Sequence, residues 1–237
     1  MAKVLLEVCC GSVDEALAAH ENGADRIELC CALAVGGLTP ALGMLEEVKS
    51  WATYPVMAMT RSREGGFHYT AAEFDTMVRD AKILLNHGAD GIVFGFLHQD
   101  GTVDVERTAR MVDIAGGAPT MFHRACDATP DLFATMETLA ELGVTRMLTS
   151  GGAGQAALGA SVLAELVRRA EGRIEVLPGG AIEPDNVVGL VQTSGVTQVH
   201  FAARDNADQG GYAGVAEAVP APAVITGIRQ ALADAGL

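Results

Sequence analysis

A chain of 237 residues that is 49% hydrophobic and 19% charged can bury a large core, which excludes a disordered polypeptide. Thirty acidic residues against sixteen basic ones give a formal charge of −14, which excludes non-specific binding to a nucleic-acid backbone. No apolar run approaches the roughly 18 residues that span a bilayer, and five cysteines, an odd number, suit reduced thiols in the cytoplasm better than disulfide staples.

In chain order, Val4–Val8 reads as a strand, and Glu7 inside it argues against a secretion signal. Ser12 caps an Ala/Leu-rich helix to Asn22, with Glu15 at the capping-box position. A second strand follows over Arg26–Leu29. Pro40, at a first-turn position where proline is tolerated, opens a helix to about Ser50. Val56–Met59 is the third strand. Thr70 with Glu73 makes a second capping box, leading a helix to about His87 and a strand over Gly91–Phe94. Helices are then expected over Asp104–Ala115, Asp131–Leu142, Leu158–Ala170, Asn186–Ser194 and Ala223–Ala235. They alternate with strands at Thr120–His123, Arg146–Leu148, Glu175–Leu177 and Gln198–His200. The stretch from about 205 to 222, rich in Gly, Ala and Pro, reads as irregular, covering the mouth of the fold or tethering the last helix.

The pattern repeats. Gly23-Ala24-Asp25 before the second strand is echoed by Gly88-Ala89-Asp90, and more loosely by Gly143-Val144-Thr145 and Gly195-Val196-Thr197. Each copy is a helix-ending glycine, a short turn and an apolar strand. The copies begin about 50 to 65 residues apart, which suits two βα units per copy. Eight strands alternating with eight helices predict an α/β protein whose residues 1–237 make a single (β/α)8 TIM barrel. An open doubly wound sheet is the alternative, but it needs no matched four-fold repeat.

In a barrel the chemistry gathers where strands end. Those ends present Glu7 and Cys9, Glu28 and Cys30, Arg61, His123 and Arg124, Ser150, Gly179 and Gly180, and His200 with Arg204. Glu7 and Glu28 stand within apolar runs, where a charge must be paired or used. Either a buried Glu–Arg pair holds the barrel closed, or the carboxylates belong to a site. Strand alternation puts Cys9 on the face of Glu7 and Cys30 on the face of Glu28. Adjacent first and second strands would bring the thiols together, a pair suited to a soft ion such as Cu(I). The plain alternative is a small buried hydrophobe. Cys10, Cys31 and Cys126 read as loop or outward residues.

Glycines at Gly151-Gly152 and Gly179-Gly180 can aim backbone N–H groups at an anion, and Arg61, Arg63, Arg124 and Arg204 share that rim. His68 and His98 lie in loops that can reach it, whereas His20 and His87 belong on outer helix faces. The three lysines, Lys3, Lys49 and Lys82, sit off the strands, which excludes a Schiff-base aldolase. The residues support an acid–base enzyme, with Glu7, Glu28, His123 and His200 moving protons on a small carboxylate or phosphate. Arg61, Arg124, Arg204, Ser150, Gly179 and Gly180 would hold that anion. A divalent metal on Glu7, Glu28, His123 and His200 is a third arrangement.

Several blocks resemble one family. They are LEVC (Leu6–Cys9), GADRIELC with a downstream GGLTP (Gly23–Pro40), R-x-R-x-G-x-F-x-Y (Arg61–Tyr69) and DGIVFGFLHQDGTVD (Asp90–Asp104). FHRACD (Phe122–Asp127), GVTRMLTSGG (Gly143–Gly152), PGGAI (Pro178–Ile182) and VHFAAR (Val199–Arg204) complete the set. In these the chain resembles the CutC copper homeostasis proteins from about Leu6 to Arg204. Departures fall at Ser62, Gly66, Cys126 and Ala202-Ala203, where the family has Pro, Asp, an aromatic residue and a Ser respectively. The resemblance implies a (β/α)8 barrel and a cytoplasmic protein of copper homeostasis, with Cu(I) on the thiols that match Cys9 and Cys30. The expected partners are therefore a copper ion or a small anionic molecule, with no nucleic acid and no membrane. Helix-face contacts forming a dimer are common for barrels, so a homodimer is one assembly open to the chain, although one sequence does not fix the oligomeric state.

Overall fold

Alternation along each strand sorts the side chains into two separate cores, one inside the barrel and one between barrel and helices. The computed structural model describes residues 3–207 and 217–237. Eight strands run parallel: β1 (Leu5–Cys10), β2 (Arg26–Leu29), β3 (Val56–Met59), β4 (Gly91–Phe94), β5 (Thr120–Phe122), β6 (Arg146–Thr149), β7 (Glu175–Pro178) and β8 (Gln198–Ala202). Each pairs with its sequence neighbour, and β1 pairs with β8. The ring closes where Gly179, just beyond β7, bridges His200 in β8. Between and after the strands run α1 (Val13–Glu21), α2 (Leu42–Trp51), α3 (Ala71–Asn86), α4 (Val105–Ala115), α5 (Leu132–Glu141), α6 (Ala160–Ala170), α7 (Val187–Ser194) and α8 (Pro222–Asp234). The fold is the (β/α)8 barrel that the repeat predicts.

The outward residues of the strands, among them Leu6, Val8, Ile27, Leu29, Ile92, Phe94, Phe122 and Val199, pack under the helices. The inward ones form a smaller core of Cys9, Cys30, Met57, Met59, Val93, Met121, Leu148 and Leu177. Sulfur sits on five of these eight, so the lumen is soft and polarizable rather than aliphatic. Gly91 makes that filling possible: a Cβ there would stand 2.6 Å from Met57 Cε and 2.4 Å from the Pro119 carbonyl. Cys10 and Cys126 are buried in the outer layer, the latter donating to the Leu148 carbonyl at 3.0 Å, so neither faces the lumen.

The caps refine the expected boundaries. Thr70 and Glu73 complete the reciprocal capping box at α3. At α1, Ser12 Oγ accepts from the Glu15 N–H, but the Glu15 carboxylate turns to the Gly11 N–H at 2.6 Å. Pro40 lies ahead of the cap residue Ala41, because Thr39 is tied to Arg61 and α2 starts at Leu42. The flanks of the stretch read as irregular pair with each other, β9 (Arg204–Ala207) running antiparallel to β10 (Glu217–Pro220). The residues between them, 208–216, lie outside the described ones. Among the described residues no helix is long and apolar enough to cross a membrane.

Candidate functional site

The lower lumen is occupied by charges that satisfy one another. Arg26 Nε donates to Glu7 Oε2, and Arg26 Nη2 donates to Gln198 Oε1 at 2.8 Å. Gln198 Nε2 reaches Glu175 Oε2 at 3.1 Å, and Arg146 Nε reaches the same oxygen at 2.7 Å. Register sets this ladder, because Glu7 stands level with Arg26 on one side and His200 on the other. Glu7 thus belongs to both expected arrangements. One carboxylate oxygen serves the buried ion pair, and the other lies 2.8 Å from His200 Nδ1.

Burial alone would raise the Glu7 pKa, but the His200 hydrogen bond and the Arg26 charge outweigh it and bring the group down to about 2. His200 is pulled the other way. Burial favours its neutral form, yet the bond to Glu7 and the charge of Glu28 raise its pKa above the ordinary imidazole range. Its second nitrogen, Nε2, lies 3.7 Å from Glu28 Oε2. Glu28 is itself pushed up, first by burial and then by the Glu7 charge, against the opposing pull of His200.

Above Glu28 stand the thiols. Cys9 Sγ donates to Glu28 Oε2 at 3.0 Å and lies 3.7 Å from Cys30 Sγ. Both cysteines are buried and free. The adjoining Cys30 thiol, burial and Glu28 push the Cys9 pKa well above that of an ordinary thiol. Ligand atoms of Cys9, Glu28 and His200 lie within 4.8 Å of one another. The arrangement of Glu7, Glu28, His123 and His200 around one divalent ion does not form, because Glu7 is committed to Arg26 and His200, and His123 is not in this cluster.

A cavity of about 580 Å³ opens over this floor, with Met59, Arg61, Phe67, His123, Arg124, Gly180, Ala181, Ile182 and Arg204 in its wall. That volume accommodates a small molecule and far exceeds one ion. His123 follows β5 and packs against Gly95, where a Cβ would come within 2.4 Å of its ring. Burial and the nearby Arg61 hold its pKa at about 3, so the ring is neutral. The Ala125 N–H donates to Nδ1 at 3.1 Å, which places the ring proton on Nε2.

The arginines divide. Arg61 is buried and gives three hydrogen bonds to the carbonyls of Val35, Gly37 and Gly65, tying the loop after β2 to the loop after β3 at the cavity wall. Arg124 lies at the mouth, with Nε on Asp127 and Nη2 on Ser150 Oγ. Arg204, the first residue of β9, lines the same cavity. Arg63 leaves the rim for Glu73 at 2.6 Å and the ring of Tyr69. Ser150 is buried behind Arg124 and positions it, while Gly179 closes the barrel and Gly180 alone of that pair lines the cavity. His68 and His98 remain outside the lining, His98 beside Asp104 at 3.9 Å. His20 is half-buried against Trp51 and Tyr54 instead of facing solvent, and His87 is exposed beside Glu46.

Sequence reasoning passed over Arg26, Gln198 and Asp127. Arg26 had a readable signal, a cation two residues before Glu28 on the same strand face. Asp127, which accepts from Thr149 and Ser150 and orients Arg124, is visible only in three dimensions.

The matching family model is described as the CutC family and covers residues 4–205. The chain belongs to the CutC family. A CutC family protein from Treponema denticola is 47% identical over 203 residues, covering 86% of this chain and 82% of that one. The human "Copper homeostasis protein cutC homolog" is 43% identical over 206 residues, 87% of this chain and 76% of that one. Among solved structures, the putative copper homeostasis protein CutC from Streptococcus agalactiae superposes with a TM-score of 0.80 at 30% identity, over 84% of this chain and 98% of that chain. In this CutC-family chain, the blocks that carry the likeness end on the cavity: Cys9 in LEVC, Glu28 in RIELC, His123 and Arg124 in FHRACD, and His200 in VHFAAR, with Cys30 buried behind Cys9.

Proposed function

We propose that this chain serves copper homeostasis by holding Cu(I) between Cys9 and Cys30 on the floor of the barrel mouth. The observation that carries this is the pair of free, buried sulfurs 3.7 Å apart. An ion about 2.3 Å from each sulfur would subtend roughly 110°, a bent arrangement with room for a third donor. His200 Nε2 clusters with Cys9 and Glu28 but not with Cys30, so the two sulfurs are the ligands this reading names. Soft thiolates select Cu(I), and the dithiolate complex is an anion that Arg61, Arg124 and Arg204 favour, whereas the same guanidiniums repel a free dication. Loading releases the thiol protons. Cys9 already points its proton at Glu28, which stands next to His200, so the proton has a buried route away from the sulfur. Thiols in this role require a reducing compartment, which supports a cytoplasmic location. Titration of reduced protein with Cu(I) against a chromophoric competitor should show tight binding that the Cys9→Ala, Cys30→Ala variant lacks. Equal affinity in the two proteins would remove the thiol site.

A second reading, acid–base chemistry on a small anion, draws on one further observation. His123 and His200 share a cavity yet are driven to opposite protonation states. Titratable groups pushed apart in this way mark acid and base roles. Glu28 would take a proton from a carbon beside a carbonyl and return it, with His200 as the second acid. Deuterium exchange at C3 of pyruvate, followed by proton NMR, tests this directly. Exchange no faster than in a Glu28→Gln variant would exclude it.

A further inference from the structure

Three almost fully buried side chains that line the cavity each hold a polar atom with no hydrogen-bond partner: His123 at Nε2, Arg61 at Nε and Glu28 at Oε1. A buried polar group left unmet is costly, so three on one cavity call for an explanation. Copper at the thiols supplies no partner for the two donors among them. His123 Nε2 carries a proton, since Nδ1 accepts from Ala125 and the ring is neutral, and a guanidinium Nε is a donor by nature. Donors cannot bind a cation. They need an acceptor oxygen.

A second set of donors stands at the mouth. Arg124 commits Nε and Nη2 but leaves Nη1 close to Gly180, where an added Cβ would lie 3.3 Å from it. Gly180 and Ala181 both have positive φ, 120° and 50°, a conformation that costs Ala181 strain. Both residues line the cavity, as does Ile182. Among the described residues, no acceptor takes the N–H groups of Ala181 and Ile182. Consecutive N–H groups in such a turn make an anion-binding concavity.

We infer that the cavity binds a small organic carboxylate carrying a second, carbonyl-type oxygen. The carboxylate sits against Arg124 and the Gly180–Ile182 turn, and the second oxygen accepts from His123 Nε2–H. This deepens the acid–base reading by naming the ligand class, but it is a statement about binding and does not depend on turnover. His123 is here a positioning donor. Its neutral state matters because an imidazolium would need a counter-charge that Arg61, its neighbour, cannot give.

Calorimetric titration of the reduced protein with oxalate, a planar carboxylate of this class, tests the assignment. Binding is expected in the wild type and undiminished when a Cu(I) chelator is present, which separates this ligand from copper. His123→Phe keeps the ring but loses the N–H, and should weaken oxalate about tenfold. His123→Gln, which returns an N–H near the same place, should recover most of the loss, an outcome that a purely structural His123 would not give. Thermal melting of each variant without ligand confirms that it is folded. The proposal is overturned if oxalate fails to bind at millimolar concentration, or binds His123→Phe as well as wild type. It is also overturned if 2-phosphoglycolate binds where oxalate does not. Absence of pyruvate exchange alongside tight oxalate binding would sink the acid–base reading while supporting this one.

Discussion

The two ends of the barrel lumen carry similar residue types and treat them differently. At the lower end Arg26, Glu7, Gln198, Glu175 and Arg146 form a continuous ladder of hydrogen bonds, with only Arg146 Nη1 left over. At the upper end Glu28, His123 and Arg61 each keep an unmet atom, and all three border a cavity. Charge in the lower lumen is consumed by the fold, while charge in the upper lumen is, on our proposal, kept for a ligand. Glu7 joins the two, because its carboxylate is shared between Arg26 below and His200 above. A buried charge is therefore not by itself a sign of a site; what distinguishes the two ends is whether each donor and acceptor has been answered.

If the lower ladder is structural, breaking it should give the largest effect. Arg26→Met leaves the Glu7 carboxylate buried and short of a partner, a loss of about 3–5 kcal/mol that urea denaturation would measure. The double variant Glu7→Leu, Arg26→Met should lose less than the sum of the single changes, since neither charge is then stranded. Glu7→Leu should also lower the His200 pKa, readable by NMR titration, because the bond to Glu7 is a principal cause of its rise. A neutral Arg26→Met would erase the distinction between the two ends.

Acid sensitivity sharpens the upper end. His123 is held at about 3 in the folded chain against an ordinary 6.5. Between those values the unfolded chain binds a proton that the folded chain refuses, so stability from this residue is complete above 6.5 and falls as pH drops. The slope is about 1.4 kcal/mol per pH unit. Glu7, at about 2 against 4.5, adds its own loss only below 4.5. His200 and Glu28, both raised, slope in the opposite sense, because the folded chain holds their protons longer. The useful measurement is therefore the difference between wild type and His123→Phe in denaturation from about pH 5 to 6.5. The variant should lose the downward slope that His123 contributes. Parallel curves would mean that His123 is protonated in the folded state, and its Nδ1 could not then accept from Ala125.

Much of this was readable in one dimension. The Gly-Ala-Asp repeat and the Thr70 box gave the barrel and its helix starts, because both depend on local backbone geometry. Glu7 and Glu28 stood out as charges in apolar strands, and alternation put a thiol beside each. The sequence could not show which carboxylate was answered. That depends on barrel stagger, which sets Glu7 level with Arg26 and His200 but leaves Glu28 beside Cys9 and Met57. Loop arginines were less legible still. Arg61, Arg63, Arg124 and Arg204 look alike at strand ends, yet long side chains go where acceptors are. Arg61 found three carbonyls and Arg63 a carboxylate of the α3 capping box.

That last pair of fates gives the smallest and most discriminating effect. Arg63 and Arg124 each follow a strand end, and each pairs with a carboxylate, Glu73 in one case and Asp127 in the other. Arg63 also spends its remaining nitrogens on the carbonyls of Glu64, Gly66 and His68, so nothing is left for a ligand. Arg124 keeps Nη1 beside Gly180 on the cavity wall. Arg63→Ala should therefore leave oxalate affinity within experimental error of wild type, while Arg124→Ala weakens it by about tenfold or more, the scale of a charge-assisted hydrogen bond. Calorimetry on the two variants decides between a positive rim acting at a distance and one placed guanidinium. Equal losses would favour the field, because both substitutions remove the same charge from loops at the same end of the barrel, after β3 and after β5. A loss confined to Arg124 assigns recognition to direct hydrogen bonding, and high salt should then change oxalate affinity far less than Arg124→Ala does.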